Sequence, residues 1–337
     1  MALDKEFLQK ILDNPFSDIL GQDETKLALK SALYVGRNVI IVGRPGIGKT
    51  TLAKNVAKIL PDLTVNDCGF HCLPGKPSCP SCKAMKKSVE KTVTGAERFV
   101  RVQGSPDLSA EDLLGDIDPV KALQYGPLSV EAFTPGKLFK ANNGILFFDE
   151  VNRCSEKLQN ALLQALEEKK VTIGSYDVEF EVDFLFIGTM NPEDGSTEKL
   201  SDVFLDRFDL VEMHYPESVA REEAILDAKA KRVEGVSFPP GLRRHVVEFI
   251  RALRADKNIE KRPSVRATIG IVERAQALAM VRGGKKVTPD DVEAVLLSVL
   301  SHRISLKPSV KYLESPEAYV RQKHAEFSTT HSFGGEG

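Results

Sequence analysis

The sequence offers little to a membrane or to a polyanion. One of its longer apolar runs, Ile145-Leu146-Phe147-Phe148, has four residues, where an α-helix needs about 20 to cross a bilayer. Charge is almost balanced, with 46 Lys and Arg against 48 Asp and Glu in 337 residues, a net −2. The basic surplus that marks a general nucleic-acid binder is therefore missing. The opening Met1-Ala2-Leu3-Asp4-Lys5-Glu6 lacks the basic stretch and long apolar run of a secretory signal. Cysteine is scarce outside one place: four of the five fall between Cys68 and Cys82, and the fifth is Cys154. A disulfide framework suits small secreted domains, not a chain of this length. No long internal repeat is visible. These absences predict a soluble, cytoplasmic protein with no membrane partner and no general affinity for nucleic acid.

What is present is a change of rhythm along the chain. Residues 23–35 read as a helix. Val39-Ile40-Ile41-Val42 is a short β-branched run, hence a buried strand. Residues 50–60 are apolar at helical spacing and stop before Pro61. Further strands are expected at 99–102, 145–148, 184–188 and 210–213. Between them, residues 108–141 are broken by Gly and Pro into short pieces. Residues 155–168 form a helix with Leu158, Leu162, Leu163 and Leu166 on one face, and 171–182 form a hairpin around Gly174-Ser175. Strands alternating with helices indicate an α/β fold, a parallel sheet covered on both faces. From Pro216 the pattern becomes helix after helix, at 220–231, 240–254, 264–282 and 289–302. Thr288 is a natural N-cap for the last of these, with Pro289 at its first position. The expected division is 1–215 as the αβα domain, 216–312 as a smaller all-helical domain, and 313–337 as a flexible tail.

Gly43-Arg44-Pro45-Gly46-Ile47-Gly48-Lys49-Thr50 matches G-x-x-x-x-G-K-[ST]. The strand before it and the helix after it are the context that this phosphate-binding loop requires. Its glycines let backbone N–H groups converge on phosphate oxygens, and the helix starting at Lys49 points its positive end at them. Lys49 neutralises β- and γ-phosphates, and the Thr50 hydroxyl is suited to Mg²⁺. These eight residues and Thr51 are the expected ATP contacts. The strand 145–148 ends in Asp149-Glu150. Asp149 is expected to hold the Mg²⁺ shell, and Glu150 to orient and deprotonate the attacking water. The adjacent Glu favours hydrolysis over transfer to a second substrate.

With these motifs on the page, the chain resembles AAA+ ATPases, in particular the group of MoxR proteins and the magnesium-chelatase I subunit. The likeness runs over about 14–304. Ile19-Leu20-Gly21-Gln22 resembles the adenine-pocket entry, Gly188-Thr189-Met190-Asn191-Pro192 the sensor-one strand, and Leu205-Asp206-Arg207-Phe208 the arginine-finger segment. Pro263-Ser264-Val265-Arg266-Ala267 resembles the sensor-two helix start, and residues 115–138 the helix-two insertion. The resemblance implies a P-loop NTPase αβα sandwich followed by a helical lid. It also implies catalytic roles for Asn191, on the water or γ-phosphate; Arg207, reaching a neighbouring subunit's nucleotide; and Arg266, touching nucleotide from the lid. Arg153 is the rival second arginine. A finger acting in trans implies a homo-oligomer, and the family implies a hexameric ring that remodels a client or a von Willebrand A-domain partner. The alternative is a nucleic-acid motor of MCM-like type. Against it, the return strand of the hairpin is acidic, with Asp177, Glu179, Glu181 and Asp183.

Cys68-x3-Cys72-x6-Cys79-x2-Cys82 sits in a Pro- and Gly-rich insert. Two close pairs of thiols can surround one tetrahedral ion, and four protein ligands leave no open position. One structural Zn²⁺ is the expected occupant. An iron–sulfur cluster, a metal-free thiol loop, and a site in which His71 replaces one Cys stay open. Cys154 reads as a packed small residue.

Overall fold

The computed structural model describes residues 5–84, 89–126, 129–172, 179–193 and 200–330. The chain divides into two units: Met1–Arg44 with Gly48–Met213, and Pro45–Ile47 with His214–Gly337.

The first unit is built on five parallel strands: β1 (Val39–Val42), β2 (Phe99–Gln103), β3 (Ile145–Asp149), β4 (Leu185–Met190) and β5 (Asp209–Glu212). Their order across the sheet is β5-β1-β4-β3-β2, every pairing parallel. β3 is buried at all five positions, as a strand enclosed on both faces must be, and this explains why its sequence runs Ile-Leu-Phe-Phe without alternation. Helix α1 (Lys49–Ile59) follows the phosphate loop, and helix α2 (Glu156–Glu168) follows β3, burying Leu158, Leu162 and Ala165. The expected αβα architecture is therefore present. The helix Lys5–Asp13, not anticipated from its sequence, buries Phe7 and Ile11.

Two excursions leave this frame. Leu63–Asn66 and Glu90–Val93 form an antiparallel pair flanking the cysteine insert. Gly115–Ile117 and Phe133–Pro135 form another, carrying the short helix Pro119–Tyr125. The insert is more than an irregular loop. Phe70, between the first two cysteines, stacks on Phe180 at 5.6 Å and meets Phe139 edge-on at 5.2 Å. The cysteines thus share the main apolar core of this unit. The expected hairpin pairs Lys170–Thr172 with Glu179–Glu181; its turn, 173–178 with Gly174-Ser175 and Asp177, lies outside the described residues.

The second unit packs α3 (Val219–Lys229), α4 (Pro240–Ala255), α5 (Val265–Val281) and α6 (Pro289–Leu300) around an apolar centre. Thr288 caps α6 through a reciprocal pair of hydrogen bonds with Asp291, with Pro289 in the first turn. The expectation of a flexible tail at 313–337 is corrected for most of its length. Helix α7 (Pro316–Thr330) buries Tyr319 and Val320 against this core. The Tyr319 hydroxyl donates to Asp256 at 2.6 Å, and Phe327 packs on Phe249 at 5.6 Å. The stretch reads as polar because three anchors, Tyr319, Val320 and Phe327, are all that its apolar stripe contains. Residues 331–337 lie outside the described residues.

At the heart of this unit is a fully buried carboxylate. Glu222, 0% exposed, takes a two-pronged bond from Arg254 at 2.6 and 2.7 Å and a third from the Thr268 hydroxyl at 2.6 Å. Arg254 also donates to Pro263 O at 2.8 Å and lies over the Tyr215 ring at 4.7 Å. A charge removed from water in this way is tolerated only while its partner remains. Arg254→Ala is expected to destabilise the second unit by about 3–5 kcal/mol. Denaturant unfolding checks this; a loss below about 1 kcal/mol, the range of a surface pair, would contradict it.

A candidate nucleotide site and a thiol cluster

The chain leaves the carboxyl end of β1 into the glycine-rich loop. Gly46 and Gly48 take positive φ, +76° and +107°, a region open to glycine without Cβ strain. A Cβ on Gly48 would sit 3.1 Å from Ile19, the first residue of the expected adenine-pocket segment. The loop is pinned to the next strand by the Gly43 N–H, which donates to Met190 O at 3.1 Å. Lys49 turns its ammonium back onto the loop carbonyls of Gly43 and Arg44. Arg44 forms an ion pair with Glu193. Thr50 and Thr51 open α1.

The Thr50 hydroxyl lies 3.3 Å from Asp149 Oδ2. Residues 99 positions apart thus bring a hydroxyl and a carboxylate together beside a loop built for phosphate. Oxygen donors of this kind fit Mg²⁺, which takes one or two protein oxygens and completes its shell with phosphate and water. Asp149 is 8% exposed, and its other oxygen accepts from the Thr189 hydroxyl at 2.6 Å. Thr189 in turn accepts from the Glu150 N–H at 2.9 Å. Glu150 itself takes a positive φ of 58°, a conformation that costs a side-chain-bearing residue about 1–2 kcal/mol. The turn is held against β2: the Gly104 N–H donates to Asp149 O at 2.7 Å, and a Cβ on Gly104 would fall 2.0 Å from Glu150 O.

Three residues of this site were not foreseen. Arg101 donates to Asp149 Oδ2 at 2.7 Å, Gln103 to Glu150 Oε2 at 3.1 Å, and Thr189 joins the two acids. All three lie on strands beside β3. The signal that finds them is register: Arg101 pairs with Phe147, Gln103 with Asp149, and Gly188 with Phe148. That register does not exist in the sequence.

The remaining expected site residues come from four separate segments. Asn191 follows β4, its side chain accepting from the Glu193 N–H at 3.3 Å. Arg153, the rival arginine, pairs with Glu150 of its own chain at 3.2 Å. Arg207, after the short helix Asp202–Leu205, pairs with Glu167 of α2 and donates to Val203 O at 2.7 Å. Arg266 is exposed in the first turn of α5, in the second unit.

The four insert cysteines do converge. The Sγ atoms of Cys68, Cys72, Cys79 and Cys82 all lie within 4.8 Å of one another, and His71 is not among them. A tetrahedral zinc with its usual Zn–S bond sets sulfurs about 3.8 Å apart, so the set fits one ion. A cluster of several irons holds its thiolates further apart. Backbone N–H groups of Ser78 and Cys79 point at Cys72 Sγ, at 3.4 and 3.3 Å, and that of Cys82 at Cys79 Sγ, at 3.4 Å. Such donors stabilise thiolate. Hydrogen bonds from Cys68, then Cys79, pull Cys72 well below the usual thiol range. Cys154 is separate: burial pushes its thiol up to about 12, which keeps it protonated and inert.

Comparison with known proteins bears on the chain as a whole. Residues 71–210 match the model of the ATPase family associated with various cellular activities (AAA), 251–322 the AAA lid domain, and 15–69 magnesium chelatase subunit ChlI. Over 334 residues the chain is 31% identical to the magnesium-chelatase subunit ChlI homolog of Methanocaldococcus jannaschii, covering 87% of this chain and 86% of that one. It is 31% identical over 336 residues to the magnesium-chelatase subunit ChlI of Nostoc sp., covering 87% and 85%. The chain belongs to the magnesium-chelatase ChlI family of AAA+ ATPases. NtrX from Brucella abortus, with a TM-score of 0.52 at 16% identity over 96% of this chain and 64% of that one, shares the fold. As a ChlI-family AAA+ ATPase the protein hydrolyses ATP, and ATP with Mg²⁺ suits both the family and the donors described above. No helix among the described residues is long and apolar enough to cross a membrane.

Thr189→Val tests how the two acids are held. It removes a donor from a buried carboxylate and an acceptor from the Glu150 N–H. The expected result is a loss of about 1–3 kcal/mol in stability, with a lower kcat and a nearly unchanged affinity for ATP. Unfolding and ATP-binding titrations check it; wild-type stability together with wild-type kcat would contradict it.

Proposed function

We propose that the protein is the motor of a homo-oligomeric ring, hexameric as in the AAA+ proteins it resembles, whose ATP hydrolysis remodels a partner protein. The observation that carries the hydrolytic part of this reading is the approach of the Thr50 hydroxyl and the Asp149 carboxylate, with Glu150 next in the chain and Lys49 at the end of the loop; the ring and the partner rest on the family. Gly43-Arg44-Pro45-Gly46-Ile47-Gly48-Lys49-Thr50 and Thr51 bind the phosphates. Thr50 and Asp149 hold Mg²⁺, which when bound neutralises phosphate charge. Glu150 accepts a proton from the attacking water as its oxygen bonds to the γ-phosphorus and the bond to the ADP oxygen breaks. Asn191 orients that water. Arg266 contacts nucleotide from the lid.

Arg207 acts on the nucleotide of the neighbouring subunit, stabilising charge in the transition state. In its own chain the same side chain pairs with Glu167 of α2. Arg207→Ala and Glu150→Gln are each expected to lose at least about 10²-fold in kcat while still binding ATP. Mixing the two inactive proteins restores part of the activity, because one supplies Glu150 and the other Arg207 at shared interfaces. A mixture as inactive as its components, in rings of normal size, would remove Arg207 from this role.

The partner is of the kind served by chelatase-type or MoxR-type motors: a metal-inserting subunit or a von Willebrand A-domain protein. The likeness to ChlI subunits favours the former. The nucleic-acid motor is less well supported. Two cations near the acidic return strand, Lys169 and Lys83, pair with Asp183 at 3.3 Å and Glu181 at 3.5 Å.

Cys68, Cys72, Cys79 and Cys82 hold one structural Zn²⁺, which ties the insert to the Phe70 core. Purified protein is expected to be colourless with one zinc per chain, and chelation is expected to lower its melting temperature. Iron with visible absorbance, or fully metal-free protein of unchanged stability, would overturn this.

A further inference from the structure

Arg101 has no part in the scheme above, yet it touches one of its acids and reaches the other through Gln103. A single nitrogen, Nη2, donates to Asp149 Oδ2 at 2.7 Å and to Gln103 Oε1 at 3.1 Å. The Gln103 amide then donates to Glu150 Oε2 at 3.1 Å. The direction of this relay is fixed by chemistry: a guanidinium only donates and a carboxylate only accepts, so the amide oxygen must face Arg101 and its NH₂ must face Glu150. The oxygen that Arg101 occupies, Oδ2, is also the one facing the Thr50 hydroxyl at 3.3 Å. A divalent ion seated between Thr50 and Asp149 needs that same oxygen.

We propose that Arg101 competes with Mg²⁺ for Asp149 Oδ2 and thereby sets the metal affinity of the site, with Gln103 carrying the exchange to Glu150. This rests on the reading of Thr50 and Asp149 as the Mg²⁺ donors. Two cations on one carboxylate oxygen repel strongly in a half-buried site, so metal entry requires the guanidinium to give way. Arg101 can do so. Its side chain is 49% exposed, against 12% for Asp149, so water takes over its solvation as it leaves. Lys49 is differently placed, with its ammonium bonded to the Gly43 and Arg44 carbonyls. Arg101 is therefore a positioning residue: it holds Asp149 and Gln103 in place without needing to touch the nucleotide.

The test reads Mg²⁺ binding rather than turnover. The melting temperature of the full chain is measured with saturating ADP while Mg²⁺ is titrated, and the midpoint of the stabilisation is compared between variants. Arg101→Gln, and Arg101→Met as a second neutral variant that keeps the stem, are expected to lower the Mg²⁺ midpoint roughly threefold to tenfold, the worth of a partly exposed ion pair. Arg101→Lys, which keeps the charge, stays near wild type. Neutral variants with an unchanged or raised midpoint would overturn the competition. Asp149→Asn separates the two readings. If it loses the Mg²⁺ response while the neutral Arg101 variants match wild type, the competition alone fails. If Asp149→Asn keeps the wild-type midpoint, the assignment of Asp149 as a metal donor fails.

Discussion

The carboxylate of Asp149 is buried at the tip of a strand that is closed on both faces, and the nucleotide side of the molecule is arranged around that fact. A buried charge needs partners on every open lone pair. Thr189 serves one oxygen, and Arg101 and Thr50 meet at the other. Each comes from a different element, so their demands fix the register of β2 and β4 against β3 and the seat of α1 beneath the loop. The close turn at Glu150 has its own cost, a left-handed backbone on a glutamate, and a glycine at 104 is what allows β2 to approach it. Strain of this kind persists where the surroundings over-determine it, and it falls on Glu150, the residue proposed as the base.

The same economy of position governs the cysteine insert. Four thiols placed in a polar loop would be exposed and reactive. Here three of them are buried, and the ring of Phe70 is joined to Phe133, Phe139 and Phe180 from three separate segments. The apolar contact seats the stretch between Cys68 and Cys72, and the four sulfurs lie within 4.8 Å of one another. The second unit solves the opposite problem with the same rule, surrounding a buried glutamate with an arginine and a threonine from two other helices.

The sequence by itself determined whatever depends on near neighbours in the chain. The phosphate loop is legible because glycine spacing, the lysine and the hydroxyl must be contiguous to wrap a phosphate. The strand ending in Asp149-Glu150 is legible because full burial demands an unbroken apolar run. The cysteine spacing, the helix periodicity after Pro216 and the cap at Thr288 are local in the same sense. The helix at 316–330, within the stretch 313–337 expected to be flexible, is not legible because three apolar anchors make a weak pattern. Their partners, Phe249 and Asp256, lie far away in the sequence. Tertiary structure alone decided which side chains face the two acids. Arg101, Gln103 and Thr189 are distant in sequence from Asp149 and Glu150, and strand register delivers them. It decided as well that Arg207 leans on Glu167, 40 residues away. Spacing along a chain encodes what one turn or strand can do, whereas the partners of a buried charge are chosen by whichever strands happen to lie alongside it.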